Sequence, residues 1–127
     1  MAGFRSSHVG LHVKDLDRSV SFYQDMLGFT LVSSIELKGG LRIAFVEIPE
    51  QFLLELVENR DMAVKADGPF EHVCFRVESF EESFQSLREQ GIEFETDMLF
   101  FREFWDHGMK FAFFRGPDGE RLEIAEY

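Results

Sequence analysis

Two histidines and two glutamates carry the chemistry that this 127-residue sequence suggests. His8 opens HVGLHV and His72 opens HVCFRV, so His-Val-x-x-x-Val is written twice, 64 positions apart. Glu55 sits in FLLELV and Glu123 in RLEIAE, 68 positions apart. Imidazole and carboxylate together suit one divalent transition ion such as Zn, Ni, Co, Fe or Mn, and four such donors leave positions open on an octahedral ion. Taken singly, a strand-start histidine or an outward strand glutamate reads as an ordinary surface residue. Two matched pairs at equivalent places of a repeat read as a two-fold site around one cation. Glu55, flanked by Leu53, Leu54, Leu56 and Val57, also carries a desolvation cost unless water or a cation reaches it.

The elements that must position these residues repeat as well. After each His-Val segment, apolar residues recur at helical spacing: Leu16, Val20 and Tyr23 in the first half, Phe80, Phe84 and Leu87 in the second. Each run ends in a glycine, Gly28 or Gly91, where a helix C-terminus is expected. Pro49, Glu55 and Glu58 are followed 68 positions later by Pro117, Glu123 and Glu126. A duplication follows, each half reading strand, helix and three strands. The first half predicts strands near 8–13, 29–36, 41–48 and 52–58 with a helix near 16–27. The second predicts strands near 72–77, 92–96, 109–115 and 121–126 with a helix near 80–90. Gly39-Gly40, Pro49-Glu50 and Pro117-Asp118-Gly119 supply turns. One domain over 1–127 is expected, with module one near 6–59, a polar linker near 60–69 and module two near 70–127.

Strand alternation decides which side chains share a face. Val9, Leu11 and Val13 point toward the helix, and His8, Gly10 and His12 point away. Val73, Phe75 and Val77 pack on the second helix, leaving His72, Cys74 and Arg76 opposite. By the same count Leu54 and Leu56 turn inward while Glu55 turns out, and Leu122 and Ile124 turn inward while Glu123 turns out. All four candidate ligands therefore emerge on the faces away from the helices.

Composition excludes several classes. A formal net charge of −11 argues against nucleic acid or anionic membrane as partner, because either requires a surplus of Lys and Arg. Arg42, Arg76, Arg102, Arg115 and Arg121 lie close to the predicted strands and allow a locally positive pocket for a small anion. The single Cys74 cannot form an internal disulfide, no apolar signal core opens the sequence, and no stretch approaches membrane-spanning length, so a cytoplasmic location is expected. Nothing near Cys74 suggests a paired base, which leaves a nucleophilic role without support. The aromatic stretch MLFFREFWDH (98–107) reads as a connection between strands, serving as core and dimer contact or as a substrate lid.

The stretches HVGLHVKDLDRSVSFYQDMLGF, FLLELVE, EHVCFRVESFEESFQSLREQGIEF and FAFFRGPDGERLEIAEY together resemble the vicinal oxygen chelate superfamily, most closely its glyoxalase I-type members. The resemblance implies an α+β fold of two βαβββ modules forming a curved mixed sheet, with one divalent metal ion as cofactor. Its ligand positions fall on His8, Glu55, His72 and Glu123. It implies a lyase or isomerase acting on a small oxygen-chelating substrate through an enediolate-type intermediate, with Glu123 as principal base and Glu55 as ligand and second base. A homodimer is expected by the same resemblance. The alternatives are a non-catalytic or resistance-type small-molecule binding protein and a metal-dependent dioxygenase. Glyoxalase I typically has an arginine four residues after its first histidine, where it helps to bind glutathione; this chain has His12 there. Asn59 matches an asparagine of that enzyme, but Arg60-Asp61 replaces its Trp-Gly. The resemblance thus leaves His12, Asn59 and Arg76 as substrate-binding candidates and gives no support for glutathione as the substrate's thiol.

Overall fold

The computed structural model describes residues 3, 5–62, 67–68 and 70–127, which form two compact units, Met1–Ala63 and Val64–Tyr127. The linker read over 60–69 lies partly outside the described residues. The first unit contains β1 (Val9–Val13), α1 (Leu16–Ser21) continued by a π-helical turn over Phe22–Met26, β2 (Thr30–Glu36), β3 (Arg42–Ile48) and β4 (Phe52–Glu58). The second contains β5 (Val73–Arg76), α2 (Phe80–Glu89), β6 (Leu99–Phe101), β7 (Met109–Arg115) and β8 (Arg121–Glu126). Each unit has one four-stranded sheet, ordered β1-β4-β3-β2 and β5-β8-β7-β6. In each, the first strand pairs parallel with the last and the other pairings are antiparallel. A parallel partner requires a crossover, and the helix supplies it. The fold is α+β, with two βαβββ modules.

The helices begin and end for local reasons. Asp15 accepts from the backbone N–H of Arg18 at 3.1 Å, and Ser79 accepts from that of Glu82 at 3.3 Å; both are favoured N-caps. Gly28 and Gly91 end the runs at φ 77° and 97°, the left-handed region that glycine enters without a Cβ penalty. Ile92 N–H donates to Leu87 C=O, five residues back, whereas Phe29 N–H donates to Tyr23 C=O, six residues back. The first unit therefore holds one residue more at this end, and the π-helical turn absorbs it. Leu16, Tyr23, Phe80 and Leu87 bury against the sheets as their spacing requires.

A carboxylate at the end of each last strand ties the helix to the sheet. Glu58 Oε2 accepts from Leu16 N–H at 3.1 Å, and Glu126 Oε1 accepts from Phe80 N–H at 2.8 Å. A cation braces each: Arg42 lies 2.6 Å from Asp17 and 3.4 Å from Glu58, and Lys110 lies 2.8 Å from Glu81 and 3.8 Å from Glu126. The same acid, cation and capping glutamate thus recur in both units.

One expected strand is displaced. Residues 92–96 alternate like a strand, but only Phe94 makes a bridge, to Phe114. Its ring is held between Phe84 at 4.4 Å and Phe114 at 5.2 Å, and this packing turns the backbone away from a regular ladder. The edge strand is instead Leu99–Phe101, paired with β7, inside the stretch read as a connection. Phe101 and Phe104 pack on Phe111, and Leu99 joins the buried cluster Met109, Phe111, Phe113 and Ala125.

Candidate metal centre

In the first unit the register sets Gly10 opposite Glu55 across the β1–β4 pair and Phe45 opposite Glu55 across β3–β4. His8, just ahead of β1, brings its Nε2 to 3.6 Å from Glu55 Oε1 and its ring edge-on to Phe45 at 5.8 Å. The second unit repeats the arrangement. Cys74 and Phe113 are the register partners of Glu123. His72 Nε2 lies 3.9 Å from Glu123 Oε1, its ring edge-on to Phe113 at 5.3 Å. Each sheet thus delivers one imidazole nitrogen and one carboxylate oxygen from adjacent parallel strands.

The outer ring nitrogens are also held. His8 Nδ1 lies 2.9 Å from Ser7 Oγ, and His72 Nδ1 lies 3.0 Å from Glu71 Oε1. Glu71 also pairs with Arg121. His72 and Arg121 hold the Glu71 carboxyl below the ordinary carboxylate range. An ionised carboxylate only accepts, so Nδ1 of His72 donates to Glu71, and Nε2 is the nitrogen turned toward Glu123. His72 Nε2 and Glu123 Oε1, 3.9 Å apart, are beyond direct hydrogen-bond reach. Two donors bound at about 2.1 Å to one ion stand about 3 Å apart, so a small closure of either pair suits a shared ion. The carboxylate–imidazole order on His72 is the outer-shell arrangement that fixes the tautomer of metal-ligating histidines. The donor set therefore fits a divalent ion. Among the described residues no single group of three or more His, Cys, Asp or Glu side chains is arranged to hold a metal; each unit supplies a pair.

The sequence reading missed Ser7 and Glu71. The signal was the residue immediately before each histidine, and its importance depends on the ring orientation that only the fold fixes.

The two glutamates differ in setting. The Glu55 side chain is 24% exposed and that of Glu123 only 6%. A Cβ added to Gly10 would stand 3.4 Å from Glu55 Oε1, so no side chain at that position fills the space beside the oxygen. At the equivalent place stands Cys74, an exposed residue in register with Glu123; desolvation of its thiol and the neighbouring carboxylate push it above its ordinary range. A thiol held protonated is a poor nucleophile.

His12 follows Gly10 on the outward face of β1, exposed and in register with Val57. Asn59 extends the β1–β4 pairing, its N–H donating to Val13 C=O at 2.7 Å. Arg76 is turned to Tyr127, donating to its carbonyl with the guanidinium 4.3 Å from the ring centroid; Trp105 stacks on that ring at 4.5 Å. The other four arginines read as lying close to the strands are also engaged. Arg42 pairs with Asp17 and Glu58, Arg115 with Asp67 and Glu95, Arg121 with Glu71, and Arg102 donates to Asp106 C=O. A charged cavity of about 560 Å³ lies on the helix side of the first sheet, lined by Asp17, Arg42, Glu58 and Arg60 among others. Its charges answer one another, and alternation puts it on the face opposite Glu55. No helix among the described residues is long and apolar enough to cross a membrane.

Two βαβββ modules, each presenting a histidine and a glutamate from its parallel strand pair, define a glyoxalase-like fold. The sequence model of the Glyoxalase/Bleomycin resistance protein/Dioxygenase superfamily matches residues 5–124. The chain belongs to that superfamily. It is 27% identical to the lactoylglutathione lyase of Neisseria meningitidis serogroup A, over 96% of this chain and 90% of that one. The crystal structure of a glyoxalase family protein from Enterococcus faecalis superposes with a TM-score of 0.82 at 26% identity, covering 96% of this chain and 97% of the other. The fosfomycin resistance protein FosX of Listeria monocytogenes, solved with Mn(II) and sulfate, shares the fold at 18% identity and a TM-score of 0.73, covering 100% and 93%.

Proposed function

We propose that the protein is a divalent-metal-dependent, glyoxalase-like lyase or isomerase whose one ion is held by His8, Glu55, His72 and Glu123. The observation that carries this reading is the matched pair of His–Glu contacts at 3.6 and 3.9 Å, each beside a phenylalanine at the equivalent register position. The ion, Zn, Ni, Co, Fe or Mn, would hold two adjacent oxygens of a small substrate and stabilise the negative charge that develops on them. Around it, the protein's own groups bind and move the proton. A glutamate takes it from the substrate carbon beside the carbonyl and returns it to the neighbouring carbon. The resemblance gives this role to Glu123, with Glu55 as ligand and second base. His12, Asn59 and Arg76 border the substrate; Arg76 meets an acidic group by exchanging its hold on Tyr127. The absence of an arginine at position 12 favours a substrate other than a glutathione adduct. The two modules act as one domain, and the chain works as a homodimer in the cytoplasm.

Metal analysis after reconstitution should give about one ion per chain, and His8→Ala or His72→Ala should weaken binding about a hundredfold or more, beyond the 10–100-fold typical of outer-shell losses. A panel of α-oxoaldehyde–thiol adducts, with and without glutathione, then tests turnover with Zn, Ni, Co and Mn. Metal binding without turnover of any adduct would replace the lyase by a binding protein, and oxygen uptake with Fe(II) and a catechol would replace it by a dioxygenase. Light scattering at twice the chain mass checks the dimer.

A further inference from the structure

Resting on the metal reading above, we propose that the end of the substrate remote from the ion is an aryl ring bearing an acidic group, received in the second unit by Arg76, Tyr127 and Trp105.

These residues continue the face that carries the metal pair. Register sets Cys74 beside Glu123 and Arg76 beside Ala125, so two residues of β5, about 7 Å, separate the level of Glu123 from that of Arg76. Tyr127 lies two residues beyond Ala125, about 13 Å along the strand from Glu123. His72, Cys74 and Arg76 are all exposed, and an open strip therefore runs from the imidazole to the guanidinium. Beside it the sheet is closed, because Phe111 is buried with Phe101 and Phe104 packed on it. The strip leads to the stacked rings of Tyr127 and Trp105.

Arg76 is the cation open to an acidic ligand on this face. Arg42, Arg115 and Arg121 each hold a side-chain carboxylate, which an entering anion must displace. Among the described residues Arg76 pairs with no acidic side chain; it holds the Tyr127 carbonyl and lies 4.3 Å from that ring's centroid. A planar guanidinium can keep a ring contact while it accepts a carboxylate at its edge.

Trp105 is held out at a conformational cost. Its φ of 60° is an outlier for a bulky residue. The hairpin fixes it there: Arg102 donates to Asp106 C=O and Phe104 N–H to Phe101 C=O, both at 3.3 Å. Gly108, at φ 81°, leaves its side open to the Phe100 ring, which any Cβ there would overlap. The indole lies parallel to Tyr127, 8° between planes, and Trp105 is 63% exposed. One ring face rests on Tyr127 and the other is left to a ligand. Backbone strain of this kind gathers at ligand clamps, and an indole face is a shelf for a second aromatic ring. The first unit has no counterpart, since Gly39-Gly40 turns its hairpin and His12 stands in the place of Arg76.

Trp105 is the one tryptophan of the chain, so its fluorescence reports the subsite without any reaction. The full chain, stripped of metal by chelator and then loaded with Zn(II), is titrated with phenylacetate, acetate and 2-phenylethanol. Phenylacetate should quench Trp105 saturably in both forms, with acetate and 2-phenylethanol each bound at least about tenfold more weakly. By calorimetry, Arg76→Gln should lose about tenfold in phenylacetate affinity and Trp105→Leu about fivefold, while Trp105→Phe, which keeps a ring, stays within about threefold of the parent. Equal affinity for acetate and phenylacetate, or phenylacetate binding unchanged in Arg76→Gln, overturns the proposal. Trp105 emission that shifts on dilution of the protein but not with phenylacetate assigns the hairpin to a second copy of the chain and overturns it too. Turnover separates the two readings. If 4-carboxyphenylglyoxal and methylglyoxal thiol adducts react equally well, the subsite fails while the metal reading stands. If phenylacetate binds as expected but no divalent ion does, the metal reading fails and the aryl-acid subsite stands alone.

Discussion

The first unit sets Gly10 beside its glutamate and a neutral Ser7 behind its histidine; the second sets Cys74 and the anionic Glu71 in the same places. His12 in the first corresponds to Arg76 in the second. The spacing between equivalent residues shows where the halves diverged. It is 64 from His8/His72 to Tyr23/Leu87, 63 at Gly28/Gly91, 64 again where Ile35 and Leu99 meet Ile43 and Phe111, and 68 along the last two strands. The first change is the π-helical turn. The second is the edge strand: Leu31 to Ile35 spans Val46 to Ile43 with one extra residue, whereas Phe94 to Leu99 spans Phe114 to Phe111 with two. The third is the hairpin after that strand. All three lie in outer elements, while the parallel pair carrying the histidine and glutamate is unchanged in register. A sheet tolerates bulges and longer loops at its edge, because a slip in the central pair would turn every side chain to the other face.

The strongest way to break this comparison is at the shared brace. Glu58→Ala and Glu126→Ala each leave a helix N–H without its acceptor, and each should cost about 2 kcal/mol in a denaturant titration. A large difference between the two would show that the repeat is conserved in form but not in energy. The next effect concerns the histidine supports. Glu71→Ala should lower divalent-metal affinity about tenfold, and Ser7→Ala less, because a charged acceptor polarises the imidazole more strongly than a hydroxyl. Equal losses would mean that the two rings are supported alike.

The smallest effect is acid sensitivity. Asp67, Glu71 and Glu81, all in the second unit, are held below their ordinary values by Arg115, His72 and Lys110 respectively. A carboxylate lowered on folding contributes stability above its unfolded pKa and loses it as the pH falls through the folded value. Hydrogen exchange from pH 5 to pH 3 should therefore show β5–β8 losing protection before β1–β4. Protection lost first from the first unit would contradict the pairing described here.

Much of this organisation is legible in the sequence because it is written in local periods. Alternation alone put His8, Glu55, His72 and Glu123 on the outward faces, and helical spacing with Gly28 and Gly91 marked both helices. Those signals depend only on backbone geometry repeating every two or 3.6 residues. Tertiary structure decided what depends on partners distant in the chain. Residues 92–96 carry a strand's alternation, but Phe94 found its place between Phe84 and Phe114, and β7 took Leu99–Phe101 as its edge partner. Glu71 became the acceptor behind His72, and Cys74 the register neighbour of Glu123. Nothing local distinguishes Gly10 from Cys74 as neighbours of a glutamate, since that neighbour is 45 positions from Gly10 and 49 from Cys74. Only strand register brings them together, and register is set by the packing of whole sheets.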